Sequence, residues 1–128
     1  MITPGISCEK RLTVTEQDTA AAWGSGTLPV LATPRMIQLI EQAACECLVQ
    51  FMDGGDTTVG TLMDIRHVSP SPVGSEVVCR VSVCEVDRAR VRFAVSVRDS
   101  KGDVGTGYHE RFRVHSDKFM EKAESKLA

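Results

Sequence analysis

One long amphipathic stretch, residues 33–52, dominates this sequence, because every later segment of comparable length has the alternation of a strand. Thr33 suits an N-cap, and Pro34 suits the first helical position, where a missing N–H removes no hydrogen bond. Gly54-Gly55 follows the last apolar residue, which is typical of a helix end. The sequence therefore predicts a single long helix over residues 33–52, against which the strands must pack.

Glu41 is the unusual residue of this predicted helix. At roughly 100° per residue, the helix has a polar stripe on one side and apolar residues on the other. The polar stripe holds Arg35, Gln38, Gln42, Glu46 and Gln50. The apolar side holds Ile37, Ile40, Ala44, Leu48 and Phe51. Glu41 falls on the apolar side, where a carboxylate is costly unless it does chemistry or pairs with an arginine. Glu41 is thus a candidate functional residue; the alternative is a carboxylate at the edge of the apolar face that reaches out to solvent or to an arginine.

Alternating patterns predict the strands, which we place at residues 8–16, 57–68, 76–86, 89–99 and 104–115. In the strand at 57–68, one face is predicted to hold Val59, Thr61, Met63, Ile65 and His67, and the other Gly60, Leu62, Asp64 and Arg66. His67 is therefore expected on the apolar face that meets the helix. The alternative is a core histidine bonded to a backbone carbonyl.

The connections complete an α+β prediction. Residues 20–29, which include Trp23, are expected to form a loop, residues 69–74 a proline-rich turn, and Ser116 the cap of a short polar helix. One helix and about five strands with mostly short links predict an antiparallel sheet packed on that helix, in a single domain over residues 1–128. The edges of such a sheet favour pairing with a second subunit.

Composition excludes several classes of function. A net charge of -2 offers no basic surface for nucleic acid, and no segment reaches the roughly 20 apolar residues of a membrane span. The five cysteines are expected to be reduced, small buried residues of a cytoplasmic protein. A zinc site built from Cys45, Cys47 and His67 or His109 is disfavoured, since structural zinc sites space their cysteines two to four apart. We expect no metal and no cofactor.

Four short motifs, spread between residues 28 and 119, carry a resemblance to a known family. They are Ala32-Thr33-Pro34, Ile40-Glu41-Gln42-Ala43-Ala44-Cys45, Val59-Gly60-Thr61 with His67, and Gly105-Thr106-Gly107-Tyr108-His109-Glu110-Arg111. In this order and spacing the chain resembles the hot-dog fold acyl-CoA thioesterases, and more narrowly their fluoroacetyl-CoA thioesterase-like branch.

The resemblance implies hydrolysis of a small or medium acyl-CoA, with catalytic residues at Thr33, Glu41 and His67. Glu41 would act as nucleophile or as general base, and the N–H of Gly60 is a candidate oxyanion donor. Arg111 is a candidate substrate-binding residue, although an ion pair or a solvated position is favoured for it. The best-known specificity of this branch depends on aromatic residues before the helix. Residues 23–28 contain one aromatic, which argues against fluoroacetyl-CoA as the natural substrate.

Two other functions stay open: an enoyl-CoA hydratase or dehydratase, and a non-catalytic acyl-CoA-binding module on the same fold. A hydratase would typically carry a histidine near the helix start, and this helix has none. Assembly can also be predicted. Thr33 and Glu41 are eight residues apart, or about 12 Å along a helix axis, so their side chains cannot meet within one chain. We therefore expect a homodimer with sites built from both chains.

Overall fold

One antiparallel sheet and one long helix make up most of the fold, which a computed structural model describes for residues 1–127. The strands are β1 (Ser7–Thr13), β2 (Asp56–His67), β3 (Glu76–Asp87), β4 (Arg90–Asp99) and β5 (Gly102–His115), in the order β1-β3-β4-β5-β2. The helices are α1 (Ala20–Trp23), α2 (Thr33–Val49) and α3 (Ser116–Glu124), with 3₁₀ turns at Glu16–Asp18 and Ser125–Leu127. The α+β prediction is confirmed.

The core lies between α2 and one face of the sheet. The helix contributes Met36, Leu39, Ile40, Ala43, Ala44, Cys47 and Leu48, and the sheet contributes mainly valines around the fully buried Phe93. Burial of a side chain as large as that of Phe93 stabilises the fold by roughly 1.5–3 kcal/mol. The strands carry valine in alternation because β-branched residues fit a half-buried pleated surface.

The predicted helix is three residues too long. α2 ends at Val49, and the side-chain amide of Gln50 donates to the carbonyl of Cys47 (3.0 Å), which satisfies one of the free carbonyls at the helix end. The N-cap is Ala32 rather than Thr33, which is the first helical residue. α3 likewise begins at Ser116, with His115 in the N-cap position.

Residues 20–29 are not entirely a loop. Thr19 caps the one-turn helix α1, since its hydroxyl accepts a hydrogen bond from the N–H of Ala22 (3.2 Å). Gly24 ends the helix in the left-handed conformation with φ of 69°, which glycine adopts without steric cost. Trp23, at the end of α1, is 40% exposed, and its indole N–H donates to the carbonyl of Gln17.

The expectation of five reduced cysteines is wrong for two of them. Cys8 of β1 and Cys47 of α2 form a disulfide, with their Cα atoms 5.8 Å apart. Because 39 residues separate the pair in sequence, only the packing of α2 on β1 brings the two thiols together. Of the free cysteines, Cys79 is buried, which raises the pKa of its thiol to about 12, while Cys84 is exposed.

A β-bulge corrects the predicted faces of β2. The pairing with β5 shifts between Gly60 and Leu62, which leaves Thr61 as the extra residue. Strict alternation therefore fails at this point: Gly60 lies on the helix-facing side together with the half-buried Met63, Ile65 and His67. Strict alternation predicts Gly60 on the opposite face from His67, and this prediction is wrong.

Both ends of the sheet have unpaired edges within residues 1–127, since β1 and β2 each have one strand neighbour. β2 is the longer of the two, with twelve residues. In the same part of the chain, no helix combines the length and apolar character needed to cross a membrane.

Candidate active site

The start of α2 is held in place by a buried ion pair. Asp18 accepts hydrogen bonds from the Thr15 backbone and hydroxyl, and its other carboxylate oxygen lies 2.9 Å from Nε of Arg35 on α2. Burial alone would raise the pKa of Asp18, but these hydrogen bonds outweigh it and hold the pKa below its usual value. The carbonyl of Asp18 also accepts from the N–H of Ala32. These bonds fix the first turn of the helix, where Thr33 lies.

Thr33 and His67 form the first half of the candidate site. Because Ala32 is the N-cap, the Thr33 hydroxyl is not used in capping, and its Oγ1 lies 2.7 Å from Nδ1 of His67. Nε2 of His67 is buried and has no hydrogen-bond partner among the described residues. Burial lowers the pKa of His67, and a backbone group of Ser69 partly opposes this effect.

An open cleft of about 330 Å³ adjoins this pair. Its lining comes from α1, the start of α2, the end of β2 and the segments that precede α2 and follow β2. It comprises Ala20, Ser25, Val30, Leu31, Thr33, His67, Val68, Ser69 and Pro70. A substrate in this cleft would reach a hydroxyl and an imidazole that are already within hydrogen-bonding distance of each other.

Glu41 forms the second half of the candidate site. It lies at the edge of the buried helix face rather than within it, and its side chain is 47% exposed. Its carboxylate is packed against the backbone of Gly60, so closely that a Cβ at this position would stand 2.5 Å from Oε2. Glycine at position 60 is thus explained by the approach of Glu41.

Arg111 faces Glu41 from β5. Its guanidinium is 7% exposed and donates from Nε to the Thr58 hydroxyl (2.9 Å) and from Nη2 to the Thr58 carbonyl (3.0 Å). Nη1 lies 3.6 Å from Oε2 of Glu41. Of the two favoured alternatives for Arg111, the ion pair is found and the solvated position is not.

Glu41 opens onto a separate cleft of about 250 Å³, lined by Ile37, Glu41, Gly60, Thr61, Leu62, Met63 and His109. This cleft shares no lining residue with the cleft at Thr33 and His67. Within one chain, the predicted site residues therefore fall into two groups: Thr33 with His67, and Glu41 with Gly60 and Arg111. Each group contains a residue of α2 and at least one residue of the edge strand β2.

The sequence suggested His109 only as a ligand of a disfavoured zinc site, and it suggested no role for Thr58. His109 is 1% exposed, and its Nδ1 lies 2.8 Å from the carbonyl of Leu62. The available signal was its spacing from Arg111, because residues two apart on a strand share a face. Thr58 gave no comparable signal.

Similarity to known proteins identifies the family of this chain. The model of the fluoroacetyl-CoA-specific thioesterase family, FlK, matches residues 14–117. The chain belongs to this family. A fluoroacetyl-CoA thioesterase of Streptantibioticus cattleyicolor is 30% identical over 97 residues, which cover 76% of this chain and 70% of that protein. Membership confirms the predicted family and the predicted enzyme class, an acyl-CoA thioesterase.

Solved structures extend the likeness to the whole fold. A structure of the fluoroacetyl-CoA thioesterase FlK has 25% identity and a TM-score of 0.92, with 98% of each chain covered. A hot-dog-like protein from Thermanaerovibrio acidaminovorans has 23% identity and a TM-score of 0.91, over 98% of this chain and 93% of that one. The predicted hot-dog fold is confirmed for this FlK-family chain.

Proposed function

We propose that this FlK-family thioesterase hydrolyses a small or medium acyl-CoA, with Glu41 as the central catalytic residue. The observation that carries the proposal is the position of Glu41: a carboxylate at the mouth of a cleft, packed against a strand position without a side chain. Gly60 leaves the backbone accessible, so its N–H is the proposed donor to the developing oxyanion. The buried Arg111 supplies positive charge beside both groups.

Two chemical routes use the same residues. In the first, Glu41 attacks the thioester carbonyl, the carbon–sulfur bond breaks, and water then hydrolyses the acyl-enzyme anhydride. In the second, Glu41 removes a proton from a water molecule that attacks the carbonyl directly. In both, His67 in its charged form donates a proton to the leaving thiolate, which returns the ring to the neutral form that its burial favours. The contact with the Thr33 hydroxyl orients the ring.

We further propose that the site is completed by a homodimer. The outer edge of β2 is free, and this strand carries both Gly60 and His67. If β2 pairs antiparallel with its own copy about a two-fold axis near Met63, Gly60 of one chain comes close to the partner's His67. Such pairing would join the two half-sites across the interface and cover the exposed edge.

A panel of acyl-CoA thioesters assayed for free thiol tests the catalytic proposal. The Glu41→Gln variant should lose about 10²-fold or more in kcat, the range expected when general-base catalysis is removed. Glu46→Gln is the matched control, because Glu46 is also on α2 but pairs with Lys10 at 2.9 Å on the other side of the helix. Wild-type turnover by Glu41→Gln would refute the role of Glu41.

A subunit-mixing experiment tests the shared site. Thr33→Ala and Glu41→Gln chains are each expected to be impaired, and mixed dimers should regain part of the activity because one of their two sites is intact. Exchange is verified independently with two affinity tags. Proven exchange without any recovery would mean that each site is complete within one chain.

The remaining predictions concern substrate, domain and location. Two clefts of about 330 and 250 Å³ that would meet at the proposed interface support an acyl group of small to medium size. The part of the chain that the structure describes has one sheet and one core cluster, which supports a single domain over residues 1–128. A cytoplasmic location stays a prediction, and the Cys8–Cys47 disulfide removes the cysteine argument for it.

A further inference from the structure

His109 is a buried polar residue whose two ring nitrogens both have partners. It lies on β5 opposite Met63 of β2 and Phe93 of β4, and its ring is stacked on that of Phe93 at 6.3 Å between centroids. At 1% exposure it cannot exchange hydrogen bonds with bulk water. Its contacts within the protein therefore determine its protonation and its orientation.

These contacts select one tautomer of the ring. Nδ1 lies 2.8 Å from the carbonyl of Leu62, and a carbonyl oxygen can only accept, so Nδ1 carries the hydrogen. Nε2 of the neutral ring is then an acceptor, and Nη1 of Arg111 lies 3.2 Å away as a donor. Burial lowers the pKa of His109, and this effect favours the neutral ring.

Nη1 is also the nitrogen of Arg111 that faces Glu41. Thr58 holds the opposite side of the guanidinium through Nε and Nη2, which leaves His109 as the partner that directs Nη1. Oε2 of Glu41 lies 3.6 Å from the same nitrogen. The direction of Nη1 thus depends on an acceptor that only the Nδ1–H tautomer of His109 provides.

We propose that His109 is a positioning residue, which directs Arg111 toward Glu41 through Nε2 and pins the β2 bulge through Nδ1–H. The second contact matters because Leu62 directly follows the bulged Thr61, and the bulge turns Gly60 toward Glu41. The His109 ring thereby positions both Arg111 and Gly60, the two residues that flank the Glu41 carboxylate. This inference rests on the proposed role of Glu41.

The charged groups around His109 make its neutral form important. Glu41 faces it from α2, and Arg111 and Glu110 are its neighbours on β5, whereas β4 presents the uncharged Phe93. A proton on Nε2 would remove the acceptor for Arg111 and place a second cation beside it. We therefore expect the direction of Nη1 to be lost when His109 is protonated.

Two variants separate the two contacts of His109. His109→Asn retains an amide donor near the position of Nδ1, so it can still bind the Leu62 carbonyl, but it is too short to reach Arg111. His109→Gln places an amide oxygen near the position of Nε2 and can still accept from Arg111. We expect kcat to fall about 10²-fold in His109→Asn, the cost of misplacing a catalytic group by about 1 Å. His109→Gln should lie within about tenfold of wild type.

The positioning role also predicts non-additivity. In a Glu41→Gln background, His109→Asn should change kcat by less than about twofold, since it acts through a carboxylate that is no longer there. A purely structural residue would lower kcat in both backgrounds in parallel with thermal stability. Equal losses in His109→Asn and His109→Gln that follow their melting temperatures would overturn the proposal.

A spectroscopic measurement tests the tautomer without any turnover. The ring ¹⁵N shifts of the three histidines should include one neutral Nδ1–H tautomer, assigned to His109 by its absence in His109→Gln. An Nε2–H tautomer or a charged ring at neutral pH would refute the inference even in an active enzyme. Conversely, a wild-type protein inactive on every acyl-CoA would refute the proposed function while the NMR result still decides the tautomer.

Discussion

Replacing Gly60 by alanine should separate catalysis from stability in this protein. The added Cβ would lie 2.5 Å from Oε2 of Glu41, 3.3 Å from Cε1 of His109 and 3.4 Å from Nη1 of Arg111. Ordinary contacts begin near 3.4 Å, so the carboxylate must retreat by about 1 Å, whereas His109 yields only slightly and Arg111 stays in ordinary contact. A displacement of this size at a catalytic group can cost about 10²-fold in rate.

The same substitution should have little effect on the fold. The Glu41 side chain is 47% exposed and can swing toward solvent, and Gly60 does not have a left-handed φ that alanine would strain. Alanine is also favoured over glycine within a strand by about 0.5–1 kcal/mol, which offsets part of the crowding. We expect the free energy of unfolding of Gly60→Ala to remain within about 1 kcal/mol of wild type.

The assay compares kcat from free-thiol release with urea denaturation followed by circular dichroism. Gly54→Ala is the matched control, because an added Cβ there meets no atom of residues 1–127 within 4 Å and φ is not positive. Gly60→Ala in the Glu41→Gln background should cost no further activity if the two changes act on the same carboxylate. Wild-type kcat in Gly60→Ala would refute the claim that catalysis depends on the observed position of Glu41.

Two further predictions concern stability. Reduction of the Cys8–Cys47 disulfide should lower the free energy of unfolding by about 3–4 kcal/mol, which is the loop-closure value for a separation of 39 residues. In urea melts, a Cys8→Ala/Cys47→Ala protein should not respond to reductant. Equal midpoints for the reduced and oxidised wild type would contradict this prediction. Stability should also fall as the pH decreases through 6.5, because the pKa values of His67 and His109 in the folded protein lie below this usual value and the unfolded chain then binds more protons. In melts at several pH values, the stability of His109→Gln should depend less steeply on pH than that of the wild type. An equal dependence on pH would contradict the prediction.

The elements that sequence reasoning placed well have strong local patterns. α2 was predictable because its apolar residues repeat with helical period over several turns, and β3 and β4 because apolar residues recur at every second position. The helix end was misplaced because Phe51 and Met52 continue the apolar pattern beyond the last α-helical turn. The hydrophobic period shows which face of a helix is buried, but it does not show at which residue the helix ends.

The features that sequence reasoning missed depend on contacts between distant segments. The bulge at Thr61 exists only in the pairing of β2 with β5, and the disulfide exists only in the packing of α2 on β1. His109 shows the same limit: its spacing from Arg111 was visible, but its tautomer depends on a carbonyl 47 residues away in sequence. Strict alternation along β2 therefore gave the wrong side for Gly60 although His67 was placed correctly.

In the proposed dimer, β2 would serve two purposes: its pairing would cover a free sheet edge and would complete the surroundings of Glu41. β2 is a twelve-residue edge strand that contains neither proline nor lysine, and the bulge at Thr61 is its one irregularity. Along this edge the single chain leaves Glu41 about half exposed and gives Nε2 of His67 no hydrogen-bond partner within residues 1–127. Pairing of β2 with a second copy would occupy the edge and exclude water from Glu41, and a drier surrounding strengthens the interaction of the carboxylate with Arg111. A monomer would lack both effects, so we expect loss of the dimer to abolish turnover before it unfolds the chain.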